Sequence, residues 1–244
     1  MNVYESASQT AKRSAYPEAS LQKFRMLDDK VAEVFKAVQS WEGWQIISDP
    51  KTPPATLLAV VREIYRSVCW YQPHTTEASF HMIGRFPKGE VRLMQSLATH
   101  MAEEAEHGLW AREDMGKLGD QDLMQASPST FAVAAVWWRI AQHEEPLGYL
   151  GAEYLYEQLT ALATKTALPI IEGRNLPRDE MRFVIEHATE DAKHATFLKH
   201  IILDVVTRYP GSEVAMARCF DYFRQVWPLP VWKEALERAL QGAR

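Results

Sequence analysis

The sequence predicts an all-α protein, and three observations carry that prediction. Apolar residues recur at three- and four-residue spacing along most of the chain, the period of an amphipathic helix. Proline and glycine gather between those stretches and punctuate them. No segment sustains the two-residue alternation of a half-buried strand, and no repeat or low-complexity tract is visible.

The elements follow in order. Residues 1–16 are polar and read as a lead-in, so one helical domain is expected over 17–244. From about Ser20, the positions Leu21, Phe24, Leu27, Val31, Val34, Phe35 and Val38 form one apolar stripe. Gly43, Asp49, Pro50, Pro53 and Pro54 then mark a loop, with Thr52 placed to cap the next helix. That helix runs through Leu57, Val61, Ile64 and Val68 and is expected to stop at Pro73. A short helix over Thr76–Arg85 ends at Pro87 and Gly89, and a long one over Glu90–Lys117 contains Gly108, a residue that weakens a helix interior by about 1 kcal/mol relative to alanine. Ser127-Pro128-Ser129-Thr130 opens the next helix, which carries Trp137 and Trp138. Pro146 precedes a helix over Leu147–Thr166, Pro169 and Gly173 bracket a connector, and Pro177 opens the longest helix, Arg178–Arg208. Two closing helices, Ser212–Val226 and Val231–Leu240, are separated by Pro228 and Pro230.

Composition narrows the function. The chain has 244 residues, enough for a sizeable core, and its net charge of −5 with no Lys/Arg run argues against nucleic acid as a partner. The longest apolar run, Phe131–Trp138, is far too short to span a bilayer, and the polar N-terminus lacks the apolar stretch of a signal peptide. Two cysteines, Cys69 and Cys219, lie far apart in helical surroundings and read as reduced core residues, which fits a cytoplasmic protein. The closing segment Val231–Arg244 is amphipathic and suits packing on the bundle or on a second copy of the chain better than a membrane.

The chemistry gathers in two clusters. In His187-Ala-Thr-Glu-Asp191-Ala-Lys-His194, a residue advance of about 100° puts positions 187, 191 and 194 on one helix face. In Glu103-Glu104-Ala-Glu-His107, Glu104 and His107 form a second pair one turn apart. Glu153 and Glu157 share a face of a third helix. Imidazoles and carboxylates converging from several helices are how helical proteins hold iron or manganese: the carboxylates neutralise and bridge the cations, and the imidazoles tune them. Solvated Glu/His pairs on helix surfaces give similar spacings, so the metal reading rests on both clusters together with the acidic helix.

With these residues in view, the chain resembles the heme-oxygenase-like diiron oxidases, which share the helical fold of heme oxygenase and thiaminase II. The resemblance rests on Glu104-x-x-His107, on the helix with Glu153 and Glu157, and on His187-x-x-x-Asp191-x-x-His194. It implies a heme-oxygenase-like bundle with Glu104, His107, Glu157, His187, Asp191 and His194 as ligands of two Fe ions and O2 as co-substrate. The implied chemistry is N-oxygenation or oxidative C–C cleavage of a small amino-acid- or amine-like substrate, with a fatty acid as the alternative. The electron donor is not legible. Some relatives carry a carboxylate seven residues before the first-cluster histidine, where this chain has His100. Glu104 is therefore assigned that role, with Glu103 as its substitute and Glu153 as the substitute for Glu157. Trp110, one turn after His107, Tyr154, one turn before Glu157, and Arg139 are candidate substrate contacts, and Arg174 is a second arginine that could hold a carboxylate. A ferritin-like bundle is the competing arrangement. It would use Glu63 with Glu104, His107, Glu157, Asp191 and His194, and would leave His187 idle. A heme or organic-ligand protein of the same fold would leave the repeated acid/His pairing without a role.

Overall fold

The computed structural model describes residues 16–119, 126–174 and 176–242. Among them are nine α-helices: α1 (Glu18–Ser40), α2 (Glu42–Ser48), α3 (Pro54–Ile83), α4 (Val91–Lys117), α5 (Pro128–His143), α6 (Tyr149–Gly173), α7 (Arg182–Arg208), α8 (Ser212–Phe223) and α9 (Leu229–Gly242). No described residue lies in a strand, and the all-α class holds. The sequence-expected lead-in falls outside the described residues apart from Tyr16.

Helix α6 packs along α7 and against α8, α4 lies between α3 and α7, and α3 also supports α5 and α9. Helix α1 crosses α6 and α7. Its buried positions Phe24, Leu27, Val31, Val34 and Val38 repeat at the expected three-to-four spacing. Cys69 and Cys219 are free and buried. No helix among the described residues is long and apolar enough to cross a membrane.

Several boundaries differ from those the sequence suggests, each for a physical reason. The two helices expected on either side of Pro73 are one 30-residue helix, α3, which is longer than α7. Losing one backbone bond at proline costs about 3 kcal/mol. Val68, Cys69, Tyr71, Gln72, Thr75 and Ala78 are buried on both sides of the break, and that packing outweighs it. Helix α6 likewise runs through Pro169 to Gly173, because Ile171 is buried beyond the proline. Residues 42–48 form α2 where a loop was expected, and Trp41 folds its ring over Gly43 there. Thr52 does not cap α3: the cap position is Pro53, and the Thr52 hydroxyl donates to the Ile46 carbonyl. Ser127 does cap α5, accepting from the Thr130 amide. Helix α7 begins at Arg182, after a 3₁₀ turn over Arg178–Glu180.

Glycines set two helix spacings. Gly108 leaves α4 unbroken, and a Cβ there would lie 3.0 Å from Gln72 Cγ, so its absence lets Gln72 pass between α3 and α4. At Gly151 a Cβ would lie 2.0 Å from the Met216 carbonyl oxygen of α8. Alanine gains about 1 kcal/mol of helix propensity over glycine, whereas overpacking against backbone costs about 1–3 kcal/mol. Gly151→Ala should therefore lower stability, while Gly116→Ala, where nothing lies within 4 Å, should raise it. Urea unfolding of both variants checks this, and a stabilised Gly151→Ala would refute the close approach of α6 and α8.

Candidate metal centre

Three helices bring the chemistry together. Helix α4 supplies His100, Glu104 and His107, α6 supplies Glu153 and Glu157, and α7 supplies His187, Asp191 and His194, all of them buried. The start of α7 is fixed from α4: the buried Asp114 carboxylate accepts the Phe183 amide at 2.7 Å, capping a helix that has no side-chain cap of its own. One turn on, His187 Nδ1 lies 2.6 Å from the Phe183 carbonyl. A carbonyl only accepts, so Nδ1 carries the proton and Nε2 keeps its lone pair, the form that binds a metal.

Two groups of donor atoms are each compact enough to hold a metal ion: His100, Glu104, Glu157 and His194, and Glu104, His107 and His187. Glu104 belongs to both. Its Oε1 lies 3.1 Å from His107 Nδ1 and 2.9 Å from His194 Nδ1. Glu157 reaches His194 and His100, each at 3.5 Å. Asp191 stands beside the groups and outside both, with its two carboxylate oxygens buried and unbonded. Glu104 Oε1, Glu157 Oε1, His100 Nδ1 and His107 Nδ1 are also buried without a hydrogen bond. Several of these atoms approach one another at ion-pair distance yet lack hydrogen-bond alignment, the arrangement of ligands aimed at a common point. The donor set of imidazole and carboxylate suits iron.

The electrostatics agree. Glu104, Glu153 and Glu157 make their ion pairs with histidines. Burial pushes the Asp191 carboxyl well up, and repulsion from Glu157 and Glu104 adds to it. Burial also raises Glu153, although His100 opposes the shift. For Glu104 burial acts upward, but His107 and His194 outweigh it and hold the carboxyl well down. Burial and His107 lower His187 to about 4, keeping it neutral. Burial would lower His100 too, but the Glu153 and Glu157 carboxylates prevail and raise it to about 9.

The family of iron-containing redox enzymes matches residues 62–227 of this chain. The chain belongs to that family. The chain is similar in structure to a domain of unknown function with a heme oxygenase-like fold from Shewanella denitrificans OS217, at 23% identity and a TM-score of 0.64, covering 86% of this chain and 92% of that one. It is also similar to a TenA homolog from Pseudomonas syringae pv. tomato strain DC3000, at 18% identity and a TM-score of 0.59, covering 93% and 94% of the two chains. At these identities the likeness shows the heme-oxygenase-like fold. No curated protein matches the chain.

Of the six residues assigned from the sequence, five fall within the two donor groups and Asp191 adjoins them. Glu103 sits half-exposed at the rim, 3.4 Å from His194, and Glu153 bonds His100 at 3.2 Å outside the groups. Three expectations require correction. Tyr154 turns away from the cluster and donates to Asp28 on α1 at 2.7 Å. Arg139 is exposed on α5, and Arg174 ties the end of α6 to the carbonyls of Asp49 and Thr52. Trp110 does adjoin the site: its ring lies against His107, tilted by 30° with centroids 4.4 Å apart, beneath the Arg182 guanidinium. The ferritin-like arrangement fails with the fold, and Glu63 is held by Arg66 at 2.7 Å and Arg238 at 2.8 Å.

His100 is the donor that sequence reasoning passed over. Its signal was present, because His100-x-x-x-Glu104-x-x-His107 has the same spacing as His187-x-x-x-Asp191-x-x-His194. With His100 near 9, the metal-free site carries a proton at pH 7 that an incoming cation must displace. Fe(II) uptake should therefore release at least one proton per chain at pH 7, and its affinity should climb as pH rises toward 9. Anaerobic calorimetric titration in buffers of different ionisation enthalpy measures both. Uptake indifferent to pH across that range would contradict the assignment.

Proposed function

We propose that the chain binds two iron ions between α4, α6 and α7 and uses them, with dioxygen, to oxidise a small organic molecule. The observation that carries this reading is the pair of buried donor groups sharing Glu104, in a member of an iron-containing redox family. His100, Glu157 and His194 would hold one ion, His107 and His187 the other, and Glu104 both, with Asp191 within reach as a further carboxylate. Seven donors for two ions leave coordination positions open, which a catalytic site needs and a purely structural one does not. Bound iron would supply the electrons that dioxygen takes up.

The protein's own groups prepare the site. The Phe183 carbonyl fixes the His187 tautomer, and Asp114 fixes the backbone that presents it. Trp110 covers His107 and is itself covered by Arg182, which excludes bulk water on that side. On the opposite side, Gln72 accepts the Tyr156 hydroxyl at 2.8 Å and donates to the Glu104 carbonyl at 3.3 Å, anchoring the shared ligand's backbone. Glu153 and His100 hold a proton between them at 3.2 Å beside Glu157.

Reconstitution with Fe(II) under anaerobic conditions should give close to two irons per chain. Because His100 and His187 each belong to one donor group, His100→Ala and His187→Ala should each lose about one iron, and Glu104→Ala should lose both. Metal analysis after desalting reads this directly. Stoichiometric heme binding with no affinity for Fe(II) would overturn the proposal, as would unchanged iron content in Glu104→Ala.

A further inference from the structure

The metal cluster does not end in packed core on its α7 side. A cavity of about 150 Å³ opens there, with His187 in its wall. Its lining comes from Trp44 of α2, from α3, from Ala163, Thr164 and Ala167 of α6, from Phe183 of α7 and from Trp232 of α9. The buried apolar residues form three separate clusters, and all three contribute to this wall. The cavity lies among them, and Ile47, Val61, Ile64, Val184 and Trp232 of its wall each pack against two of the clusters. Among the described residues, no Lys, Arg, Asp or Glu lines it. Among its polar groups, the Tyr156 hydroxyl is engaged by Gln72, and the Thr160 and Thr164 hydroxyls are engaged by helix carbonyls. An engineered apolar cavity of this volume stays dry and takes up benzene, so the dimension is that of a ligand chamber.

We infer that this chamber binds the substrate, and that the substrate is an apolar, chain-like molecule whose uncharged body lies in the space lined by Trp44, Trp232 and Ala163 and whose reacting end reaches His187. The inference rests on the proposed iron-dependent oxidation and names the substrate class for it. It departs from the amino-acid-like substrate expected first from the resemblance and takes the side of the fatty-acid alternative, on the ground of the chamber's lining. A zwitterion would bring two charges into a space that offers no counter-charge, and buried unpaired charge is strongly disfavoured. An aliphatic chain gains from every methylene it removes from water.

The test is ligand binding to the full-length protein, followed by tryptophan fluorescence, since Trp41, Trp44, Trp227 and Trp232 all line the chamber. The probes are homologous alcohols, carboxylic acids and amines of six to twelve carbons, with leucine and lysine as comparators. Affinity should rise about fourfold per added methylene until the chamber is full. The three head groups should share that dependence, and the amino acids should not bind. Ala163→Phe and, as an independent variant, Ala167→Phe should shorten the longest chain accepted and weaken its binding at least tenfold, with Fe(II) uptake unchanged. Binding without length dependence, binding of the amino acids in preference, or variants that bind like the parent would each overturn the inference. The titrations are run on metal-free and on iron-loaded protein. Length-dependent binding without iron uptake would sink only the iron reading, and normal iron uptake without chain binding would sink only the substrate. In the iron-loaded protein the best-bound chain should also raise the rate of dioxygen consumption above that with leucine, and equal rates would overturn its role as substrate.

Discussion

Four carboxylates, those of Glu104, Glu153, Glu157 and Asp191, lie in the interior of the bundle; the three glutamates pair there with imidazoles, and the Asp191 oxygens make no hydrogen bond. An ionised carboxylate removed from water without compensation costs several kcal/mol. A proton taken up by His100 meets part of that cost, and the burial that drives Asp191 up favours its protonated form. A divalent cation meets it more completely, because one ion offsets two carboxylates and uses the lone pairs that hydrogen bonds leave idle. The proposed iron ions would bring the interior a charge that the polypeptide does not itself provide.

The surrounding structure holds these groups in place despite their mutual repulsion. Helices α4 and α7 repeat the same His, acid, His spacing and face each other across the cluster, so each presents three donors over two turns. Their relative height is set by the Asp114 cap on Phe183, a charge-assisted hydrogen bond in a buried setting. Helix α6 brings Glu153 and Glu157 in from the third side, and its position depends on how closely Gly148 and Gly151 allow α8 to approach. The ligands therefore sit in the middle of long, well-packed helices, where a rotamer is held by its neighbours rather than by a loop.

Most of this was legible in the sequence, and the exceptions have causes. Long helices announce themselves through periodic burial, as α1, α4 and α7 do. Proline reports only a local cost, so Pro73 and Pro169 suggested ends that tertiary packing overrides. Helix α2 was hidden because seven residues among glycine, aspartate and proline offer too little period to recognise. Within the site, the Glu104/His107 pair and the shared face of His187, Asp191 and His194 were legible as spacing, whereas their assignment as ligands came from the resemblance. His100 was missed because it stands where relatives carry a carboxylate and was taken for a departure, although its spacing to Glu104 repeats that of His187 to Asp191. Tyr154 shows the limit of adjacency in sequence: a residue one turn away from a candidate ligand can face another helix, as Tyr154 faces Asp28. Arg139, suggested only by its charge, lies on a helix that carries none of the candidate ligands and faces solvent.

The chamber beside His187 was not legible at all, since a void is a property of side chains from five helices that are distant in sequence. It is also costly. A cavity of about 150 Å³ forgoes packing worth on the order of 3–4 kcal/mol by the scale measured for core truncations. That is a sizeable share of the stability of an ordinary domain, and ordinary mutations to larger side chains would recover it. The opposite face of the cluster is built differently: Gln72, Thr75, Ser79, Glu153 and Glu157 enclose a pocket of about 10 Å³, near the room one water molecule needs. Tyr156 stands in both walls. The candidate metal ligands thus lie between an apolar space and a polar one, so under the proposed function an organic molecule would enter from the first side and water and protons would come from the second. Such a division would keep a greasy substrate dry without starving the reaction of protons, and it would give the void at His187 a reason to have been kept.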